Sequence, residues 1–219
     1  AREAGVPFQG EAGRRFFLDK VSEVFNPLVN LAEERGIELQ IENCPMGFAM
    51  DPNGLTGVTN LFSSPALIRD VLGAVPGLKL HLDASHIRNY RGAAEENPAA
   101  SNTIENWIRQ FGPNLGSSCH LKDGEDDIKG MASYNSLGNP FQANGHTQDL
   151  WIARAPGRGS IDWINFESLM LTFAPQCTGR IVELEDLDAT TRKENEGLFR
   201  FTSDFYRGKV FSAVYGAEA

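Results

Sequence analysis

Four segments of this sequence deliver a side chain that can hold a cation or move a proton. Glu42 follows the apolar run Ile37–Ile41, and Asp83 follows Leu78–Leu82. His120 lies in Ser117–Leu121, and Glu183 in Arg180–Leu184. Each run is about five residues, an ordinary strand length. Three carboxylates and one imidazole make a mostly oxygen ligand set. It suits one divalent ion, Mn²⁺ or Mg²⁺ first, with Co²⁺ and Zn²⁺ also compatible. The set contains no thiolate, which argues against a structural zinc site. A hard cation polarises a carbonyl and its neighbouring hydroxyl, and so stabilises an enediolate. A carboxylate on each side of the substrate could then remove and return a proton.

Taken singly, each position has a plainer explanation. Glu42 could simply terminate a strand, and Asp83-Ala84-Ser85-His86 could be a helix-capping turn. His120 follows Cys119 in an apolar run, where a lone histidine is more often a hydrogen-bonded core residue. Glu183-Leu184-Glu185-Asp186 could be a solvated acidic loop. None of these explains why all four fall near the carboxyl ends of their runs.

The runs need elements to aim them. Apolar spacing of three to four residues predicts helices over Arg14–Arg35, Ser64–Val75, Asn102–Phe111, Trp163–Phe173 and about Thr191–Tyr206. In the first helix Phe17, Val21, Val24, Leu28 and Leu31 form one stripe. Pro27 falls inside it, so a kink or two abutting helices are expected, with Asn26 as a cap. Gly36, Gly77 and Gly179 stand where helices should stop. Strand alternating with helix implies parallel pairing through right-handed crossovers, hence an α/β sheet or barrel with its site at the carboxyl ends of the strands. Strand spacing is about 40 residues twice and then about 60, as a βα repeat with one long insertion gives. That insertion, Gly124 to Arg158, is rich in Gly, Asn and Ser and reads as a long functional loop.

Composition narrows the classes. Of 219 residues, 41% are hydrophobic and 22% charged, ordinary for a globular protein, and residues 1–219 read as one domain. No apolar run approaches the roughly 18 to 20 residues of a membrane span. Twenty basic against 29 acidic residues give a formal charge of −9, with no basic cluster, which disfavours nucleic acid or anionic lipid as partner. Cys44, Cys119 and Cys177 lack metal-knuckle spacing and read as reduced thiols of a cytoplasmic protein.

At these segments the sequence resembles the xylose isomerase-like TIM-barrel superfamily of sugar phosphate isomerases and epimerases. Leu31-Ala32-Glu33-Glu34-Arg35-Gly36 and Ile37-Glu38-Leu39-Gln40-Ile41-Glu42-Asn43 look like its helix and fifth strand. Leu80-His81-Leu82-Asp83-Ala84-Ser85-His86 looks like its sixth strand, and Cys119-His120-Leu121-Lys122-Asp123 like its seventh. Pro156 to Trp163 and Arg180 to Asp186 look like the approach to and end of its eighth. The resemblance covers about Phe25 to Asp186. It implies that Glu42, Asp83, His120 and Glu183 bind the metal and that the two glutamates are also the proton-transfer pair. His86 would contact a substrate hydroxyl. Lys122 would contact substrate or order the rim, and Trp151 and Arg154 would form a wall and a hydrogen-bonding fork of the pocket.

Two departures matter. A DNA-repair endonuclease branch of the superfamily holds further zinc ions with an Asp-x-His pair, but Trp151 and Ala153 occupy those positions here. The resemblance also covers only the C-terminal half of the barrel, its fifth to eighth strands. That predicts a partial (β/α) barrel with open edges, completed by a missing N-terminal half, by a partner or by a second copy. The expected function is metal-assisted isomerisation or epimerisation of a ketose or related keto-sugar. Alternatives are a dehydratase of the inosose or dehydroshikimate type, and a noncatalytic sugar-binding half-barrel.

Overall fold

The computed structural model describes residues 10–43, 48–51, 54–58, 65–88, 104–128, 133–134, 140–141, 150–183 and 192–216. In chain order the elements begin with α1 (Gly10–Glu34), β1 (Gln40–Glu42), β2 (Phe48–Asp51), β3 (Gly54–Val58), α2 (Pro65–Ala74), β4 (Lys79–Asp83) and α3 (Ala84–Arg88). They continue with α4 (Ile104–Phe111), β5 (Leu115–Leu121), β6 (Asp123–Ile128), β7 (Ser133–Tyr134), β8 (Pro140–Phe141) and β9 (Leu150–Arg154). Last come α5 (Trp163–Phe173), β10 (Gly179–Val182), α6 (Arg192–Phe205), a π-helical turn (Tyr206–Phe211) and α7 (Ser212–Tyr215). No helix among the described residues is long and apolar enough to cross a membrane.

The four expected strands form one sheet in the order β1-β4-β5-β10, every pair parallel. Side chains alternate between its faces. Leu80, Leu82, Cys119 and Leu121 are buried on one face. They meet Ile68 and Val71 of α2, Ile108 and Phe111 of α4, and Phe166 and Met170 of α5 in a single core. Gln40, Glu42, His81, Asp83 and His120 occupy the other face, the inward face of a partial barrel. Among the described residues, β1 and β10 are each paired on one side.

Three features differ from expectation. α1 runs unbroken through Pro27 rather than as two abutting helices. Pro27 is exposed, so water can reach the carbonyl that the missing N–H leaves without a donor. The anticipated stripe on α1 also divides. Val21 and Val29 are buried and Phe17 and Phe25 pack against the core, whereas Val24, Leu28 and Leu31 are exposed, to one side of that line. The Gly124–Arg158 insertion is not a plain loop. Its ends pair as an antiparallel ribbon of β6 and β9, and β7 pairs with β8. The polar β6 sequence, Asp123-Gly124-Glu125-Asp126-Asp127-Ile128, hides this strand from an apolar-run search.

Two devices fix the strands beside the site. At the end of α1, Gly36 has φ 66°. The Gly36 N–H donates to the Glu33 carbonyl (3.0 Å) and the Ile37 N–H to the Ala32 carbonyl (2.8 Å). This is a Schellman closure, in which a left-handed glycine turns the chain out of the helix and into β1. At the other edge, Glu167 of α5 is fully buried and grips Arg180 of β10 through two bonds, of 2.6 and 2.8 Å. The Tyr206 and Tyr215 hydroxyls donate to the same carboxylate, so the C-terminal segment is tied to β10 as well.

Candidate metal centre

Asp83 is the last residue of β4 and has no exposed surface. Its two carboxylate oxygens do different work. Oδ1 accepts from the Ser85 N–H (2.8 Å), the Ser85 hydroxyl (2.6 Å) and the His86 N–H (3.3 Å), and so starts the turn into α3. Oδ2 is buried and makes no hydrogen bond. Its neighbours are charged groups: Lys122 Nζ at 3.2 Å, His86 Nε2 at 3.4 Å and His120 Nδ1 at 3.7 Å. The capping explanation for Asp83 and the ligand explanation therefore both apply, one to each oxygen.

Asn43, just past β1, fixes Asp83 from the other side. Its side-chain amide donates to the Asp83 carbonyl (2.8 Å), and its Oδ1 accepts from the Asp83 N–H (2.7 Å). A side chain thus continues the ladder where the β1 backbone has ended. The Asn43 carbonyl also lies 2.7 Å from His86 Nδ1.

His120, in register with Asp83 across β4 and β5, places Nδ1 among three carboxylates. Glu42 Oε1 lies at 3.2 Å, and Asp83 Oδ2 and Glu183 Oε2 at 3.7 Å each. Glu42, Asp83 and His120 present ligand atoms that all fall within 4.8 Å of one another. Glu183 follows β10; its N–H donates to the Leu121 carbonyl (3.1 Å), which extends the ladder by one residue and carries its side chain to the same rim. Its Oε2 lies 2.8 Å from Lys122 Nζ.

The electrostatics follow from this crowding. Burial would raise the Asp83 pKa, but the charges of His86 and Lys122, the adjacent His120 imidazole and the hydrogen bond from Ser85 hold it well below the usual carboxylate range. Glu42 is likewise held low: burial raises it, and a hydrogen bond with His120 and the charge of His86 outweigh that. Burial pulls His120 down, yet the neighbouring Asp83 carboxylate, the hydrogen bond with Glu42 and the charge of Glu183 push it up to about 10. His81 stacks edge-on against His120 at 4.2 Å between centroids, and its Nδ1–H donates to Gln40 Oε1 at 2.8 Å. Burial and the His120 charge keep its pKa low.

These residues fit a divalent cation. Two buried carboxylate oxygens, Asp83 Oδ2 and Glu183 Oε2, lack hydrogen bonds and converge with one imidazole nitrogen. The donor set is that of a hard or borderline ion. A proton on His120 must leave when an imidazole nitrogen takes a metal, so ion and proton compete. With His120 at about 10 in the metal-free cluster, affinity should climb about tenfold per pH unit between about pH 6 and about pH 8. Calorimetry in buffers of different ionisation heat would count the released proton. The sign for stability is the reverse. The raised His120 pKa stabilises the metal-free fold fully below about pH 6.5, and that contribution fades as pH rises through about 10.

The remaining expected site residues are distributed as follows. His86 is buried against Asp83, Asn43 and Glu42, with Nδ1 3.4 Å from Glu42 Oε1. Lys122 is buried between Asp83 and Glu183. Arg154 closes β9 in register with Asp123, one residue beyond Lys122. Trp151 lies on β9, and its side chain is outside the described residues. Sequence reasoning gave no role to Asn43, Ser85, His81 or Asp123. Asp123 is fully buried and accepts from the N–H groups of Gly124 (2.8 Å), Gly157 (3.0 Å) and Ile161 (3.1 Å) and from the Trp163 indole (2.9 Å). It builds the Gly157-Arg158-Gly159 turn. A Cβ on Gly159 would come within 2.2 Å of the Asp123 carboxylate, which explains the second glycine.

No family model and no curated protein matches the sequence. Solved structures do match. A D-psicose 3-epimerase determined in the presence of D-fructose aligns with TM-score 0.52 and 16% identity over 97% of this chain and 61% of that one. An L-ribulose 3-epimerase gives 0.53 and 15% over 97% and 60%. A D-psicose 3-epimerase with D-tagatose from Clostridium cellulolyticum H10 gives 0.51 and 14% over 94% and 60%. The chain thus spans about three-fifths of the length of these structures. At these identities the likeness concerns the fold alone, and that fold is part of a TIM barrel.

Proposed function

We propose that this chain carries the cation-binding and proton-transfer residues of a sugar isomerase or epimerase acting on a ketose or related keto-sugar. The observation that supports it most is the convergence of Glu42, Asp83, His120 and Glu183 at the carboxyl ends of four adjacent parallel strands. Mn²⁺ or Mg²⁺ is the favoured ion, and Glu42, Asp83, His120 and Glu183 would hold it. When bound, it supplies positive charge beside the substrate carbonyl and its neighbouring hydroxyl, the place where an enediolate gathers negative charge.

Accessibility divides the labour among the ligands. The Asp83 side chain is sealed at 0% exposure and His120 shows 15%, whereas Glu42 and Glu183 each show 31%. Asp83 and His120 therefore hold, and the two glutamates face whatever enters. Glu42, held ionised by its neighbours, is in the state a general base needs. One glutamate takes the proton from the carbon next to the carbonyl, and the C–H electron pair becomes the C=C bond of the enediolate. Return of a proton by the other glutamate, to the opposite face, inverts that carbon. Return to the former carbonyl carbon instead gives the aldose–ketose exchange. His86, Trp151 and Arg154 are proposed to serve the substrate side, and the buried Lys122 to order the rim.

The fold also accommodates dehydration through the same enediolate. Incubation of the full-length protein and Mn²⁺ with a panel of ketohexoses, ketopentoses and inososes in deuterated water is the test. Deuterium at the carbon adjacent to the carbonyl, without loss of water, is expected. Loss of water from the product would replace the isomerase reading with a lyase. No exchange on any member of the panel would sink both.

A further inference from the structure

The most unusual group in the centre is a cation that belongs to the chain. Lys122 is 2% exposed, and its Nζ lies 3.2 Å from Asp83 Oδ2 and 2.8 Å from Glu183 Oε2. Both oxygens are among those that would hold a divalent ion, and among the described residues neither has a hydrogen-bond donor besides this ammonium. We infer that the Lys122 ammonium is an internal counter-ion of the carboxylate cluster: it holds the cluster together when no metal is present and weakens metal binding by sharing two of its ligand oxygens. The inference rests on the metal-centre reading above and adds an electrostatic role for one residue within it.

Charge balance shows why such a group is useful. Three buried or half-buried carboxylates repel one another in a medium of low dielectric, and leaving them without a counter-charge is costly. A doubly charged ion would leave one negative charge over, and a single ammonium cancels it. Without the ion, the same ammonium is the fixed positive charge that Asp83 and Glu183 retain. Its cost falls on affinity, because a positive charge this close to the ligand oxygens opposes the arriving cation. Lysine suits the position as a compact point charge on a stem that packs along the buried rim. A group that merely propped the carboxylates in place would have the opposite effect when removed.

The sign therefore decides the matter. Mn²⁺ titration of the metal-free, full-length protein by calorimetry should be compared for wild type, Lys122→Gln and Lys122→Arg. The Gln variant keeps a hydrogen-bond donor and loses the charge. It should bind Mn²⁺ at least about tenfold more tightly, and its metal-free form should melt at lower temperature. The Arg variant keeps the charge and should stay within about threefold of wild type. Equal or weaker Mn²⁺ binding in the Gln variant, with wild type binding normally, overturns the counter-ion role and leaves the metal centre standing. Wild type that binds no Mn²⁺ overturns both. If the Gln variant folds only when Mn²⁺ is supplied, the dependence of its melting temperature on Mn²⁺ concentration gives the same affinity. Failure to fold even in Mn²⁺ counts against the inference.

Discussion

Glu183→Gln is expected to lower kcat by roughly a thousandfold or more while leaving the protein folded and able to retain its ion weakly. The amide is the same size as the carboxylate and stays at the rim, because the position of residue 183 is set by its backbone bond to Leu121 and by the Glu167–Arg180 clasp three residues earlier. What is lost is the capacity to take or return a proton, and one negative ligand. The Glu183 side chain is 31% exposed, so water screens part of the lost charge, and Asp83 remains as a partner for the buried Lys122. Steady-state turnover on the substrate identified by deuterium exchange, with circular dichroism as the check on fold, would show this. Turnover equal to wild type would remove Glu183 from the mechanism.

Asp83→Asn should be damaging in a different way. Asp83 is the fully buried member of the set and is ionised in the fold. The amide can still offer one oxygen to the Ser85 and His86 N–H groups, so the start of α3 can survive. Its NH2 group, however, then replaces an acceptor that faces Lys122, His86 and His120. Divalent-ion affinity should fall by about a thousandfold, as loss of an anionic ligand and arrival of a donor both predict. The metal-free protein should also lose about 3 kcal/mol, since breaking a buried pair leaves the Lys122 ammonium with Glu183 as its one remaining carboxylate among the described residues. Urea unfolding with a chelator present measures the second effect, and calorimetry measures the first. The pH dependence has a definite sign. A depressed folded pKa contributes stability above the unfolded value of about 4 and loses it as pH falls, so wild type and variant should converge in acid. A constant gap down to low pH would contradict the role given to this carboxylate.

Legibility in the sequence tracks distance along the chain. Glu42, Asp83, His120 and Glu183 could be found because each adjoins a short apolar run, a local signal that period and length make visible. α5 lies at Trp163–Phe173, where apolar spacing placed it. β1 does not start at Ile37; pairing begins at Gln40, and Ile37 is 60% exposed at the open edge. Apolar content showed a strand nearby, but only the partner strand set its register. The bonds that support the ligands were invisible for the same reason. Asn43 meets Asp83 across 40 positions, and Asp123 meets Trp163 across 40. Asn, Ser and Asp at such places look like ordinary turn residues until the strands are laid side by side. The β6–β9 ribbon was missed because acidic residues fill one of its strands. The division of the α1 stripe depended on where a neighbouring helix lies, which helical periodicity leaves open.

The shared duty of Asp83 has a thermodynamic consequence. One oxygen starts α3 while the other faces the proposed cation site, so the order of that five-residue helix and any occupancy of the site would be linked quantities. Whatever free energy cation binding lends to the closed turn, the closed turn must return to cation binding. Fraying at Ser85 and His86 would thus be felt as a looser grip on the metal, with no ligand altered.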